Sequence, residues 1–317
     1  MQLNKGKPAA GAFLDSDFTS IDSVLALALL HGLQGKSDCR LAIVSVSRPN
    51  LAVAGFIDAV ERFYRGPAGN FSQVPPVGMP TVGSPGETSP AFTQPFQKKK
   101  PDGTRIYTNQ VKRVLETGDP STMIRNYLDA QYDQNAFFVL AGPATNLAAA
   151  LKFDGIPDLI ATKIKYLVVS VSESRMKADL SAAQEVLASW PTPIVFCGAE
   201  IGTALPFPGA SIDKEFAAEV PDNLVADAYR AYRTMPYDTP SADMAAALYA
   251  GRPQEGYFKL SGLGTMAVHD DGRAAFTPSE KGKHQYLIFD PAQKEKVLSA
   301  YVELASAKPV APKRKPS

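Results

Sequence analysis

The chain has 317 residues, of which 45% are hydrophobic and 21% are charged, and its formal net charge at pH 7 is +1. This composition is typical of a globular protein with a sizeable core, and so small a net charge gives no field that would favour nucleic acid or a membrane surface. The two cysteines, Cys39 and Cys197, are far apart, which argues against a disulfide framework and a thiolate zinc site. We expect both to be buried as small apolar residues.

The ends of the chain carry no membrane or export signal in the sequence as it stands. The longest apolar run, Val24–Leu30, is far shorter than the roughly 20 residues of a membrane-spanning helix. The N-terminus is too short and too polar for a secretory signal, so the sequence predicts a cytoplasmic protein unless a signal has been removed. Residues 307–317 are rich in Pro and Lys and are predicted to form a disordered basic tail.

The first 65 residues predict a β-α-β-α unit. Strands are predicted at 11–15 and 40–46, and helices at 22–33 and 51–64, where apolar residues recur at helical spacing. This alternation favours a parallel sheet with right-handed crossovers.

Residues 66–106 are different in composition, with many Pro, Gly, Ser and Thr residues. A segment of this length without periodicity predicts a long loop or insertion, and we hypothesise that it forms a lid over the strand ends. The lysines at 98–100 are expected to lie on a solvated face.

The remainder of the chain continues the alternation. Helices are predicted at 109–116, 121–132, 147–151, 178–189, 223–233, 241–249 and 294–305, strands at 136–141, 164–171 and 192–197, and a hairpin at 257–276 that turns at Asp270-Asp271-Gly272. Five buried strands, each followed by polar residues and a helix, predict an α/β fold: a doubly wound, mostly parallel sheet with helices on both faces. We expect a single domain spanning 1–306.

Three carboxylates lie at or just after the end of the first predicted strand. Asp15 and Asp17 alternate along an extended segment, and Asp22 comes a turn later near a helix start. Three such groups would repel one another unless a cation lies among them, and oxygen ligands select Ca²⁺ or Mg²⁺. Alternatively, Asp22 is a helix N-cap and the other two are turn residues. The spacing leaves both interpretations open.

Other catalytic motifs are missing from the sequence. It contains no G-x-S-x-G and no P-loop, which argues against a serine hydrolase of that type and a P-loop nucleotide site. His31 lies on the apolar first helix, where a satisfied core histidine is expected.

Four stretches together resemble the nucleoside hydrolases of the inosine-uridine-preferring type. The chain looks like a divergent, bacterial-type member of that family. The stretches are LDSDFTSIDSVLALALLHGL after the first strand, VLAGPATNLAAAL at 139–151, SWPTPIVFCGAEIG at 189–202 and MPYDTPSADMAAALYA at 235–250. The resemblance implies a Rossmann-like fold, one Ca²⁺ at the strand ends, hydrolysis of the N-glycosidic bond of a ribonucleoside, and a homo-oligomer. The implied partner is a small molecule, with no role for nucleic acid or membrane.

The resemblance also implies roles for individual residues. Asp17 matches a calcium ligand that also activates the attacking water, and Tyr237 stands where some members protonate the leaving base. The other implied metal ligands are Asp22, the backbone carbonyl of Ala141, and Asp238. The implied substrate-binding residues are Asp15, Asn50 and Asn146.

The sequence departs from the family pattern at two places. One of two adjacent motif aspartates is replaced, so that either Asp22 or Ser23 faces the metal, depending on the alignment. The Glu-Phe-Asn segment that grips the ribose has no counterpart between Val171 and the helix at Asp179. Contacts that strengthen in the transition state carry catalysis. The alternative is therefore a catalytically impaired relative that binds a sugar or nucleoside, and an unrelated sugar- or phosphate-binding protein is a third hypothesis.

Overall fold

The computed structural model describes residues 8–65 and 76–308. Its strands are β1 (Ala10–Ser16), β2 (Cys39–Val46), β3 (Ala136–Ala141), β4 (Ile164–Ser170), β5 (Ile194–Cys197), β6 (Lys259–Leu260), β7 (Gly264–Val268), β8 (Ala274–Pro278) and β9 (His284–Ile288). Its helices are α1 (Ile21–Gly35), α2 (Leu51–Arg65), α3 (Pro120–Asp129), α4 (Thr145–Leu151), α5 (Ile156–Lys163), α6 (Glu173–Ala178), α7 (Leu180–Ser189), α8 (Ala199–Ala204), α9 (Ala217–Glu219), α10 (Leu224–Tyr232), α11 (Ala242–Gly251) and α12 (Lys294–Ala305).

These strands form one sheet in the order β2-β1-β3-β4-β5-β9-β7-β8, with β6 paired to β9. Strands β1 to β5 pair in parallel, and β9 continues parallel to β5. Strands β7 and β8 form an antiparallel hairpin at the edge. The predicted mostly parallel α/β sheet is therefore confirmed, and the chain order reverses between β1 and β3, where ligands bind in such sheets.

Alternation along each strand builds one hydrophobic core on each face of the sheet. In β1, Phe13 packs into the core against α3, α4 and α7, whereas Leu14 faces the core against α1, α2, α11 and α12. In β3, Leu140 and Val139 divide in the same way. Alternate residues of a strand point to opposite faces, and both faces are covered by a core, so the residues that point to either face are mostly apolar. This explains the continuous apolar runs in the sequence.

Two predicted helices differ in the structure. Residues 109–116 are not an α-helix; a single 3₁₀ turn covers Val114–Glu116, and Glu116 accepts a hydrogen bond from the backbone N–H of Arg113. The predicted helix at 178–189 is α7, and it begins at Leu180 because the Asp179 carboxylate caps it by accepting from the backbone N–H of Ala182. The preceding six residues form the separate short helix α6.

The described part of the predicted insertion, from residue 76, packs on the protein. Phe92 is buried in a short 3₁₀ helix and meets Phe56 of α2 edge-to-face, with ring centroids 5.2 Å apart. Lys98 is ion-paired with Asp227 of α10 at 2.9 Å, so this lysine is not simply solvated. Tyr107 donates to the same carboxylate at 2.7 Å. Residues 66–75 and most of the predicted basic tail lie outside the described residues.

Cys39 and Cys197 are both buried and free, as expected. Within residues 8–65 and 76–308, no helix has the length and apolar character needed to cross a membrane.

Candidate functional site at the strand ends

The carboxyl ends of β1, β2 and β3 meet around the Asp15 carboxyl group, which is 1% exposed. It accepts hydrogen bonds from the hydroxyls of Ser45 and Ser47, each at 2.5 Å, and from Nδ2 of Asn146 on α4 at 2.7 Å. Burial nevertheless dominates and raises the pKa of Asp15 to about 6. Asp15 and Asn146 are thus brought together, and their hydrogen bonds connect the ends of the strands to α4.

Gly142, directly after β3, lets the residues that follow β1 and β2 lie close to it beside this group. A Cβ at Gly142 would lie 2.2 Å from the Ser47 hydroxyl oxygen and 2.7 Å from the backbone nitrogen of Asp17. No side chain fits there without a shift of the strand ends, which explains the glycine of the GPATN stretch.

Arg175 is buried between two carboxylates. The whole residue is 8% exposed. Its guanidinium makes a two-pronged contact with Asp243, with hydrogen bonds of 2.7 and 2.9 Å. On its other side it donates to Oδ1 of Asp17 from Nη2 at 3.2 Å and from Nε at 3.3 Å. Two-pronged contacts between arginine and a carboxylate are among the stronger hydrogen bonds in proteins.

Asp243, at the start of α11, has partners on both oxygens besides Arg175. The hydroxyls of Ser23 and Ser170 each donate to it at 2.6 Å. Burial acts to raise the pKa of Asp243, but Arg175 and these hydrogen bonds outweigh it, and the pKa is lowered. Burial likewise opposes the charged form of Arg175, yet the charges of Asp243 and Asp17 raise its pKa.

Asp22 contributes from α1 to the start of α11. Its carboxylate accepts from the backbone N–H of Asp243 at 2.7 Å and of Met244 at 3.1 Å, so it caps α11 and not its own helix. Burial, followed by the nearby charge of Asp243, raises the pKa of Asp22. We call the group formed by Asp17, Asp22, Asp243 and Arg175 the arginine cluster.

Sequence reasoning missed Arg175 and Asp243. Asp243 lies inside the quoted stretch at 235–250, five residues after Asp238, and a carboxylate at the start of an apolar helix was its only signal. Arg175 lies where the resemblance to the family breaks down, in a short polar stretch that gives no periodicity. Only the packed structure shows that it points inward.

The remaining predicted metal ligands, Ala141 and Asp238, have hydrogen-bond partners other than the side chains of the cluster. The carbonyl of Ala141 accepts from the Ser16 hydroxyl at 3.0 Å and the backbone N–H of Asp17 at 3.4 Å. Asp238 is exposed and accepts from the backbone N–H of Gly209 at 2.8 Å. These carbonyl and carboxylate groups are therefore held by other partners.

Tyr237 and Asn50 also have structural partners. The Tyr237 hydroxyl donates to the carbonyl of Tyr229 at 2.6 Å, and the two rings stack with centroids 4.4 Å apart. Asn50 caps α2 through the backbone N–H of Val53 and donates to the Thr88 hydroxyl at 3.0 Å. Asn50 thus ties the segment after residue 76 to the end of β2.

The arrangement does not fit a calcium ion. Calcium needs about six to eight oxygen ligands. Here both Asp243 oxygens and Oδ1 of Asp17 accept from Arg175, and Asp22 accepts two backbone N–H groups. In the part of the chain that the structure describes, no group of three or more His, Cys, Asp or Glu side chains is placed to hold a metal ion.

Comparison with solved structures defines the fold class. A plant nucleoside hydrolase superposes with a TM-score of 0.69 at 16% identity, covering 95% of this chain and 100% of its own. A purine-preferring ribonucleoside hydrolase from Gardnerella vaginalis gives 0.66 at 17% identity, with 93% and 98% covered. The type III effector protein XopQ, complexed with adenosine diphosphate ribose, gives 0.61 at 12% identity, with 95% and 94% covered.

The chain therefore has the nucleoside hydrolase fold, as the sequence resemblance predicted. No protein-family model matches the sequence, and no curated protein matches it significantly.

Proposed function

We propose that this chain is a nucleoside hydrolase-fold protein that binds a nucleoside or a related sugar and does not carry out calcium-dependent hydrolysis. The observation that carries the proposal is the buried ion pair between Asp17 and Arg175. The fold and the polar residues at the switch point between β1 and β3 support a ligand at the strand ends.

The ion pair removes the carboxylate that the resemblance assigns to water activation. A general base must be free to accept a proton from the attacking water. Oδ1 of Asp17 already accepts from Arg175 and from the Thr19 hydroxyl at 3.1 Å. Proton transfer to it would require the breaking of a buried ion pair, which is costly.

The residue assigned to the leaving base is also unsuited to its role. The Tyr237 hydroxyl is used by the Tyr229 carbonyl, and burial raises the pKa of Tyr237 further above its ordinary value. A phenol with so high a pKa is a poor acid at neutral pH.

Thermal shift and calorimetric titration of the full chain in EDTA test the binding. Suitable probes are ribose, inosine and ADP-ribose, the last because the XopQ neighbour is described in complex with it. We expect at least one probe to bind. Thr19 is exposed beside Asp17, so Thr19→Arg should block binding. The matched control is Thr162→Arg, at an exposed site before β4 at the opposite end of the strands.

Hydrolysis of an N-glycosidic bond is the second candidate function, favoured by the retained pair of Asp15 and Asp17 at the end of β1. A ribose-release assay on a panel of nucleosides, with calcium and with EDTA, separates the two. Release that depends on calcium and is lost in Asp17→Ala would contradict our proposal. Absence of binding for every probe would contradict it as well.

A further inference from the structure

We propose that the guanidinium of Arg175 is the built-in cation of the strand-end carboxylates and takes the place of a divalent metal ion. It lies between Asp17 and Asp243, which are 5% and 1% exposed. Isolated carboxylates at such depth are strongly destabilising unless they are paired. The fixed positive charge of Arg175 therefore compensates the buried carboxylates, as a bound cation would otherwise do.

The hydrogen bonds show that Arg175 serves the protein and not a ligand. A guanidinium has five N–H donors. Nε and Nη2 donate to Asp17, Nη1 and Nη2 donate to Asp243, and the Ser170 and Ser23 hydroxyls lie at 3.3 and 3.5 Å from Nη1 and Nη2. Every donor has an acceptor inside the protein, so none is left for a substrate.

The same contacts exclude a dication from this position. A calcium ion bound to Asp17 and Asp243 would lie within a few ångströms of the guanidinium, and like charges at that distance repel strongly in a poorly solvated site. It would also have to displace the hydroxyls of Ser23 and Ser170 from Asp243. Metal and arginine are therefore mutually exclusive here.

The fold holds Arg175 in this position. Its neighbour Met176 is buried in the core that α7 and the β7–β8 hairpin share. At the hairpin tip, Gly272 has φ +80°, and a Cβ there would lie 3.0 Å from the Glu173 carbonyl of α6 and 2.3 Å from the Lys177 side chain. The hairpin thus packs closely on α6. This packing keeps the face of α6 that carries Arg175 directed at the carboxylates.

Calcium titration of the wild-type chain and of Arg175 variants tests the proposal. In calorimetry the wild type should give no binding isotherm, and its unfolding midpoint should be the same in EDTA, CaCl₂ and MgCl₂. Arg175→Ala and Arg175→Ser leave the carboxylates without a cation. Each should unfold at a lower temperature in EDTA, bind one calcium per chain, and recover several degrees when calcium is added. Arg175→Lys keeps the charge and should not respond.

Two controls assign the effect to this site. Asp17→Asn added to Arg175→Ala should abolish the calcium response. Arg62→Ala also removes an arginine from a buried aspartate, Asp58, which is not a member of the arginine cluster. This variant should lose stability without any response to calcium.

Stoichiometric calcium binding by the wild type would overturn the proposal, and that titration depends on no variant. Folded Arg175→Ala and Arg175→Ser that both ignore calcium would overturn it too. The titration uses no nucleoside, so its outcome is independent of the proposed ligand binding.

Discussion

Asp15 is a carboxyl group whose hydrogen bonds do not offset the cost of its burial. Its pKa is about 6, above the ordinary 3.8. The folded state therefore binds more protons than the unfolded state between these values, and the free energy of unfolding falls as pH rises through this window. Asp15→Asn removes this dependence. From pH 4 to pH 8 its stability should improve relative to the wild type by up to about 3 kcal/mol.

Urea denaturation across this pH range measures the difference. Asp158→Asn, at an exposed position on α5, is the control and should follow the wild-type profile. A constant difference between Asp15→Asn and the wild type at all pH values would contradict the assignment.

Gly142 is the second residue at which the strand ends allow little change. Its added Cβ would meet the Ser47 hydroxyl and the Asp17 backbone, so Gly142→Ala must move β2 or the turn after β1. Overpacking of this kind costs about 1–3 kcal/mol. Gly262 has no atom within 4 Å of its added Cβ. Gly262→Ala should therefore leave the midpoint of denaturation almost unchanged, and equal losses in the two variants would contradict this expectation.

At the scale of elements, the described part of the segment between α2 and α3, from residue 76, is held on α10 by Asp227. Tyr107 donates to this carboxylate at 2.7 Å. Tyr107→Phe should lower the free energy of unfolding by about 1 kcal/mol and speed proteolysis of residues 98–107, because one anchor of the segment is lost. Tyr132 is 67% exposed, and Tyr132→Phe is the control. Unchanged proteolysis of the Tyr107 variant would argue that the segment is held mainly by Phe92.

The elements that the sequence predicted well are those with a continuous apolar run or with strong helical periodicity. Strand β3 and helix α12 have the predicted bounds, and the hairpin turns at Asp270-Asp271-Gly272 as predicted. The short helix α6 was not predicted, because six residues with one buried methionine give no helical pattern. Its formation depends on packing against α7 and the hairpin, which a sequence pattern does not show.

The candidate site was predicted only in part for the same reason. The positions of Asp15, Asp17 and Asn146 near the strand ends could be predicted, although not their roles, because each lies at or soon after the end of an apolar strand in a motif-like stretch. Arg175 and Asp243 lie 68 residues apart and meet only in the folded chain. The predicted ligand role of Asp238 rested on the same stretch that contains Asp243, and the sequence analysis did not consider Asp243.

At the scale of the whole molecule, the two cores share one sheet and should unfold together. The only tryptophan, Trp190, reports on the core that holds α4 and α7. Leu27 on α1 is fully buried in the opposite core. Leu27→Ala should cost about 2–5 kcal/mol and shift the Trp190 fluorescence transition and the far-UV circular dichroism transition equally.

Leu147→Ala, in the same core as Trp190, is the matched comparison and should shift both signals in the same way. Separate transitions in the Leu27 variant would mean that the faces unfold independently, against the single domain predicted for residues 1–306. The predicted homo-oligomer is tested separately, by sedimentation of the full chain.

The arginine cluster also has a consequence for how fast the chain unfolds. Its contacts join residues separated by 158 positions between Asp17 and Arg175, and by 221 between Asp22 and Asp243. Such distant partners meet only after β1, β4 and α11 have packed, so the ion pairs should form after the folding transition state. Arg175→Met should then speed unfolding much more than it slows refolding in a chevron measurement. The cluster would thus act mainly by slowing the unfolding of the native state.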